Sequence, residues 1–219
     1  MILSISQYGD PILRVKGKWI EKIDDHIREL AANMIETMHA ANGVGLAAQQ
    51  VGEALQLTVL DVSQVEDRPS TMKLNGEDVD PKTVMPVVLI NPEIEIGGAT
   101  ETGTEGCLSF PEITGQIERA KSIIVRAQTV EGDTIAIQAS GLLARAIQHE
   151  VDHLNGILFI DRMNSAAKAA LSSRLKRLQK ETKRGKRIRP QDEQPLVSET
   201  TLYPSTSGRR GANALNTPA

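Results

Sequence analysis

Residues 140–156, SGLLARAIQHEVDHLNG, constrain the fold more than any other stretch of this chain. Leu143, Ala146, Ile147, Val151 and Leu154 recur at helical spacing before Gly156, so the segment predicts an amphipathic helix whose apolar side other elements must cover. The same helix carries H-E-x-x-H. His149 and His153 are four residues apart, so both imidazoles face one side and can share one metal ion. Glu150 lies beside them, where a carboxylate can take a proton from water activated by a metal and pass it to a leaving group.

The covering elements are visible on both sides of the motif. Residues 55–63, 87–96, 122–130 and 134–139 are rich in β-branched residues and alternate, and Glu131-Gly132-Asp133 marks a hairpin between the last two. A helix is expected over 24–42, with Ile27, Leu30, Ala31, Met34, Ile35 and Met38 on one face, Asp24 or Asp25 as cap and Gly43 as stop. Another is expected over 165–183, with Ala167, Leu171, Leu175 and Leu178 as its apolar stripe. The segregated strand and helix signals indicate an α+β fold. Residues 63–83 are polar and read as a protruding loop, and 184–219, dominated by Pro, Ser, Thr, Gly, Gln and Arg, as a disordered tail.

A formal net charge of -3 gives no overall pull towards nucleic acid or anionic lipid. No apolar run approaches the roughly 20 residues that span a bilayer, and the N-terminus lacks a charged segment followed by an apolar one, so a cytoplasmic protein is expected. The single cysteine, Cys107, cannot form an internal disulfide, which fits a reducing compartment.

A catalytic site with two histidines needs a third protein ligand and an open position. His26 and His39 both fall on the first expected helix. Cys107 is the better candidate, because the glycines and proline of ETGTEGCLSFPEITG allow an irregular loop to bring its thiol to another element. A lone cysteine is otherwise a common core residue.

Three blocks, GVGLAAQQ (43–50), EGCLS (105–109) and QHEVDHLNG (148–156), together resemble the signature of the peptide deformylase family, in register from QYGDPILR (7–14) to about residue 183. The resemblance implies a catalytic domain over 1–183, with 63–83 as an insertion and 184–219 as an extension, in which antiparallel sheets wrap around a central HExxH helix and a C-terminal helix follows. It implies removal of the N-formyl group from the initiator methionine of new proteins by a divalent metal, commonly Fe(II), with zinc, nickel or cobalt as substitutes. Carried onto this sequence, it makes Cys107, His149 and His153 the metal ligands and Glu150 the acid/base. Gln49 and the backbone N–H of Leu108 become the oxyanion-stabilising pair, and Val44 and Gly45 the contacts to the substrate backbone.

Glu105 and Arg119 flank the cysteine loop and are expected to form an ion pair that steadies Cys107; Asp152 is assigned no catalytic role. Bases crowd the chain from Arg174 to Arg189 with Glu181 as the one acid, which suits a salt-sensitive contact with ribosomal RNA. Two other functions share parts of the pattern. A zinc endopeptidase would use the same HExxH but complete its site with a downstream histidine or glutamate, and no downstream histidine exists. A noncatalytic, ribosome-associated metal protein would leave Glu150 without a task.

Overall fold

The computed structural model describes residues 1–185. Asp24 caps helix α1 (Asp25–Ala40), its carboxylate accepting from the Ile27 N–H at 3.1 Å, and Ile27, Leu30, Ala31, Met34 and Met38 form the buried stripe. The stop comes one residue before the expected glycine. Asn42 adopts the left-handed conformation at φ +53, and the Gly43 N–H bonds back to the Met38 carbonyl at 2.9 Å.

The chain then forms strands β1 (Gly45–Ala47), β2 (Leu57–Leu60), β3 (Ser70–Leu74) and β4 (Glu77–Val79), a short helix α2 (Pro81–Val84), and strands β5 (Val87–Ile96), β6 (Thr100–Glu105), β7 (Gly115–Ala120), β8 (Ser122–Gln128) and β9 (Thr134–Ser140). Seven of them pair in the order β1-β2-β5-β8-β9-β3-β4, every pairing antiparallel, and β6 with β7 forms a separate ribbon. The motif helix α3 (Gly141–Leu154) is buried from Leu142 to Leu154 and touches both the end strand β1 and, near the opposite end of the large sheet, β3. Those strands stand five places apart, roughly 24 Å in a flat sheet at the usual strand spacing, whereas a helix is only about 10 Å across. The sheet must therefore bend around α3, which gives the α+β architecture with the HExxH helix at its centre.

Residues 63–83 correct the expectation of a loop. They contain β3, β4 and α2, and the turn between the two strands is Asn75-Gly76, with φ +51 and +93, the two-residue connection that antiparallel strands favour. Met72 of β3 is buried and pairs with Ala139 of β9. The hairpin also finishes α3. Ser140, the N-cap residue, makes no side-chain cap; its hydroxyl is paired with Thr71 Oγ1 at 2.6 Å, and Ser70 Oγ accepts from the Leu143 N–H at 3.0 Å instead.

The expected single helix over 165–183 is two, α4 (Ser165–Ala170) and α5 (Ser172–Lys183), separated at Leu171, where Ser172 and Ser173 follow with hydroxyls that compete for backbone groups. Leu175 is its buried anchor. Of the expected tail, residues 186–219 lie outside the described residues. No helix among the described residues is long and apolar enough to cross a membrane.

Candidate metal centre

Helix α3 sets His149 and His153 one turn apart with their ring centroids 5.0 Å from each other, and the loop between β6 and β7 delivers Cys107 to the same point. Cys107 Sγ lies 3.2 Å from His153 Nε2, and the three candidate ligand atoms all lie within 4.8 Å of one another. All three side chains are buried. His149 Nε2 has no hydrogen-bond partner among the described residues, a costly state for a buried ring nitrogen unless it serves as a ligand. A thiolate and two imidazoles form a donor set that zinc, iron, nickel or cobalt accepts, with room for a fourth position.

The neighbouring charges hold these rings in distinct states. Burial disfavours a charged His149, but the neighbouring Cys107 thiol and the Glu105 carboxylate raise its pKa well above the ordinary imidazole value. Burial and the adjacent His149 charge push His153 well below it. Glu105, at the end of β6, is fully buried. One of its oxygens accepts from Arg119 Nε and Arg145 Nη1, each at 2.9 Å, and the other from Arg119 Nη2 and His149 Nδ1, each at 3.0 Å. Despite the burial that would raise it, hydrogen bonds from His149 and Arg119 hold the Glu105 carboxyl below the usual range. With Nδ1 engaged by Glu105, the other ring nitrogen is left for a metal. Arg119 also pairs with Asp152, which Arg162 holds from the outer side. The expected Glu105–Arg119 pair is therefore present, inside a larger network. Arg145, a buried cation on the motif helix, was not legible as part of it.

Glu150 is buried, and its Oε2 has no hydrogen-bond partner among the described residues. Burial, with Glu105 and Asp152 adding to it and His149 and Arg119 opposing, pushes its pKa up to about 7. Its other oxygen explains Gly45: a Cβ there would come within 2.4 Å of Glu150 Oε1, so the glycine makes room for the carboxylate. The carbonyl of Val44, also buried, accepts from the Asp61 N–H at 2.9 Å, and β1 is an outer strand of the large sheet.

The two glutamines of GVGLAAQQ are resolved by the short 3-10 turn Ala48–Val51, in which neighbouring side chains point about 120° apart. Gln49, the expected oxyanion residue, turns away: its Nε2 is 3.4 Å from the carbonyls of Val15 and Leu154. Gln50 turns inward. Its Nε2 lies 3.6 Å from Cys107 Sγ and 3.2 Å from Ser109 Oγ, while its carbonyl accepts from the Ala47 N–H at 2.9 Å and fixes which end of the amide faces the metal ligands. Leu108 follows Cys107 directly and is buried beside it. His39, the alternative ligand, is instead paired with Asp61 at 2.8 Å.

A buried Cys/His/His set beside a carboxylate with a free oxygen, inside a curved antiparallel sheet, defines a metal-dependent hydrolase. Residues 2–169 match the family model described as polypeptide deformylase. A peptide deformylase from Opitutus terrae is 44% identical over 192 residues, covering 87% of this chain and 100% of the relative; one from Dictyoglomus thermophilum is 48% identical over 162 residues, covering 74% and 93%. The crystal structure of a plant peptide deformylase superposes with a TM-score of 0.72 at 36% identity, covering 83% of this chain and 91% of that one. That of the Thermotoga maritima enzyme gives 0.64 at 41% identity, covering 75% and 99%. The chain belongs to the polypeptide deformylase family.

Proposed function

We propose that this chain removes the N-formyl group from the N-terminal methionine of newly synthesised polypeptides, releasing formate. The observation that carries the reading is the convergence of Cys107, His149 and His153 with the Glu150 carboxylate and the Gln50 amide at one buried point. Cys107, His149 and His153 would hold a divalent ion, which when bound would supply the Lewis acidity that brings the pKa of water near neutrality. Glu150 accepts the proton of the attacking water and delivers it to the departing amine as the formamide C–N bond breaks and formate carries away the new C–O bond. Gln50 and the Leu108 N–H donate to the formyl oxygen as negative charge gathers there; losing one such donor costs roughly 3 kcal/mol in comparable sites. The substrate backbone adds as a strand along β1, with Val44 and Gly45 as its contacts.

Membership of the deformylase family supports Fe(II) as the natural ion, and the donor set accepts zinc, nickel or cobalt in its place. The exposed bases of α5 and the residue after it, Arg174, Lys176, Arg177, Lys180, Lys183 and Arg184, support a ribosome contact at which nascent chains are met in the cytoplasm. Co-sedimentation with ribosomes at low salt, compared before and after removal of residues 174–219, tests that contact. The reaction itself is tested by formate release from formyl-methionyl peptides with anaerobically purified protein, alongside Glu150→Ala, with metal content measured on the same samples. Release by the parent, lost with metal retained in the variant, is expected. No release from protein with a full complement of iron, nickel or cobalt would overturn the reading.

A further inference from the structure

The two oxyanion donors stand on separate pieces of chain, Gln50 in the 3-10 turn after β1 and Leu108 in the loop after β6. A third piece joins them. Ser6 N–H donates to the Gln50 carbonyl at 2.7 Å, Gln7 Nε2 to the Leu108 carbonyl at 3.2 Å, and Tyr8 N–H to the Ser109 carbonyl at 2.9 Å. Three consecutive residues near the N-terminus thus span both donor-bearing turns. Ser6 and Gln7 are buried, and the Tyr8 ring stacks on Phe110 with centroids 4.9 Å apart.

The segment is also held from outside. Thr182 Oγ1 of α5 donates to the Tyr8 carbonyl at 2.9 Å, and Gly9, at φ +112, lies so close to the helix that a Cβ would stand 3.0 Å from Gln179 Cα. None of these groups belongs to the metal ligand set. Their shared effect is to fix the Leu108 peptide relative to Gln50.

On the deformylase reading, we propose that Gln7 is a positioning residue: its amide holds the Leu108 carbonyl and so, through Leu108 Cα, orients the Leu108 N–H on the preceding peptide unit to meet the same developing oxyanion as the Gln50 side chain. Two donors act together only if both reach one oxygen in the transition state, and small misplacements are expensive in rate. The substrate's ground-state binding, carried by the β1 edge, does not pass through Gln7. The signature of positioning is therefore a loss in kcat with KM unchanged.

The experiment compares the metal-loaded parent, Gln7→Ala, Gln7→His and Thr182→Val by steady-state kinetics, metal content and hydrogen exchange of the peptide covering residues 107–110, the exchange being read also on metal-free protein. Gln7→Ala is expected to lower kcat about ten-fold with KM within about two-fold and metal retained, and to speed exchange at 107–110. Gln7→His, which restores an N–H donor of similar reach, recovers most of the rate. Thr182→Val loosens the strap without touching the core and gives a smaller kcat loss, about three-fold, with faster exchange in the same peptide. If Gln7→Ala does not fold, the other two variants decide. Unchanged kcat and unchanged exchange in the variants that fold, or a rate loss that follows metal loss alone, would overturn the proposal. An inactive parent would instead defeat the deformylase reading, and the exchange data would still report whether the strap holds residues 107–110.

Discussion

Replacing Glu105 with glutamine preserves shape and removes one charge from the centre of the buried network. Each carboxylate oxygen accepts two hydrogen bonds, one from Arg119 and Arg145, the other from Arg119 and His149. An amide nitrogen on the Arg145 side loses the bonds from Arg119 Nε and Arg145 Nη1; on the His149 side it loses the bond from Arg119 Nη2, and His149 keeps a bond only by exchanging its proton. Arg119 and Arg145 also lose the carboxylate that both share, at 4% and 2% exposure. Breaking a buried pair from one side costs about 3–5 kcal/mol, a large part of the roughly 5–15 kcal/mol that stabilises a typical domain. Urea titration of metal-free parent and Glu105→Gln should show that difference. A second effect reaches the metal. If the amide nitrogen faces His149, Nδ1 becomes an acceptor and the proton moves to Nε2, the nitrogen left for the metal; loss of such an outer partner typically weakens metal affinity about 10–100-fold. Competition with a chromogenic chelator reads this directly. Equal urea midpoints and equal metal affinities would show that the network carries neither stability nor ligand orientation.

Other perturbations test separate features. Gly45→Ala drives a methyl into the Glu150 carboxylate and is expected to reduce kcat by at least about ten-fold while metal content holds; wild-type turnover would mean that Glu150 moves aside without consequence. Ser70→Ala deletes the only side-chain acceptor at the start of α3 found among the described residues and should destabilise the fold by about 1 kcal/mol in thermal or urea unfolding, with no loss expected if water takes over the Leu143 N–H. Against partial burial, Arg14, the Leu158 N–H and Lys168 hold the Asp161 carboxyl down to about 2. A depressed folded pKa stabilises above the unfolded value near 3.8 and ceases to do so as pH falls through the folded one. The stability gap between parent and Asp161→Asn should therefore be constant near neutrality and narrow from about pH 4 to pH 2; a gap unaffected by acid would remove the ion pair as its cause.

Much of this was readable before the fold was seen, and the divisions are physical. The stripe of α1 and the alternation of β8 are periodic signals, because one face of each is buried, whereas α3, buried all round, showed a stripe only because its polar side is taken by the site residues. The β6–β7 ribbon was missed because Thr, Gly and Glu dominate β6, whose burial comes from the motif helix and the charge network rather than from an apolar face. The β3–β4 hairpin did carry a signal, Asn75-Gly76, which its polar flanks concealed. At the site, H-E-x-x-H was plain from spacing, and Cys107 was a candidate third ligand from its glycine- and proline-rich loop, which the family resemblance then strengthened. The choice of Gln49 failed by one position: adjacent glutamines are equivalent in sequence, and only the sense of the 3-10 turn tells which one faces the metal ligands. Arg145 was invisible because a buried arginine is unusual, and its partners arrive from a ribbon that was itself unseen.

The contact between Thr182 and Tyr8 also has a meaning in time. Synthesis runs from the N-terminus, so Ser6, Gln7 and Tyr8 leave the ribosome before all of their partners, which follow at Gln50, then Leu108 and Ser109, and last Thr182. A segment made before any of its partners is thus the last to be locked in place. A nascent copy acquires its ligand helix before its clasp, and its own maturation ends only when the two termini of the domain have met.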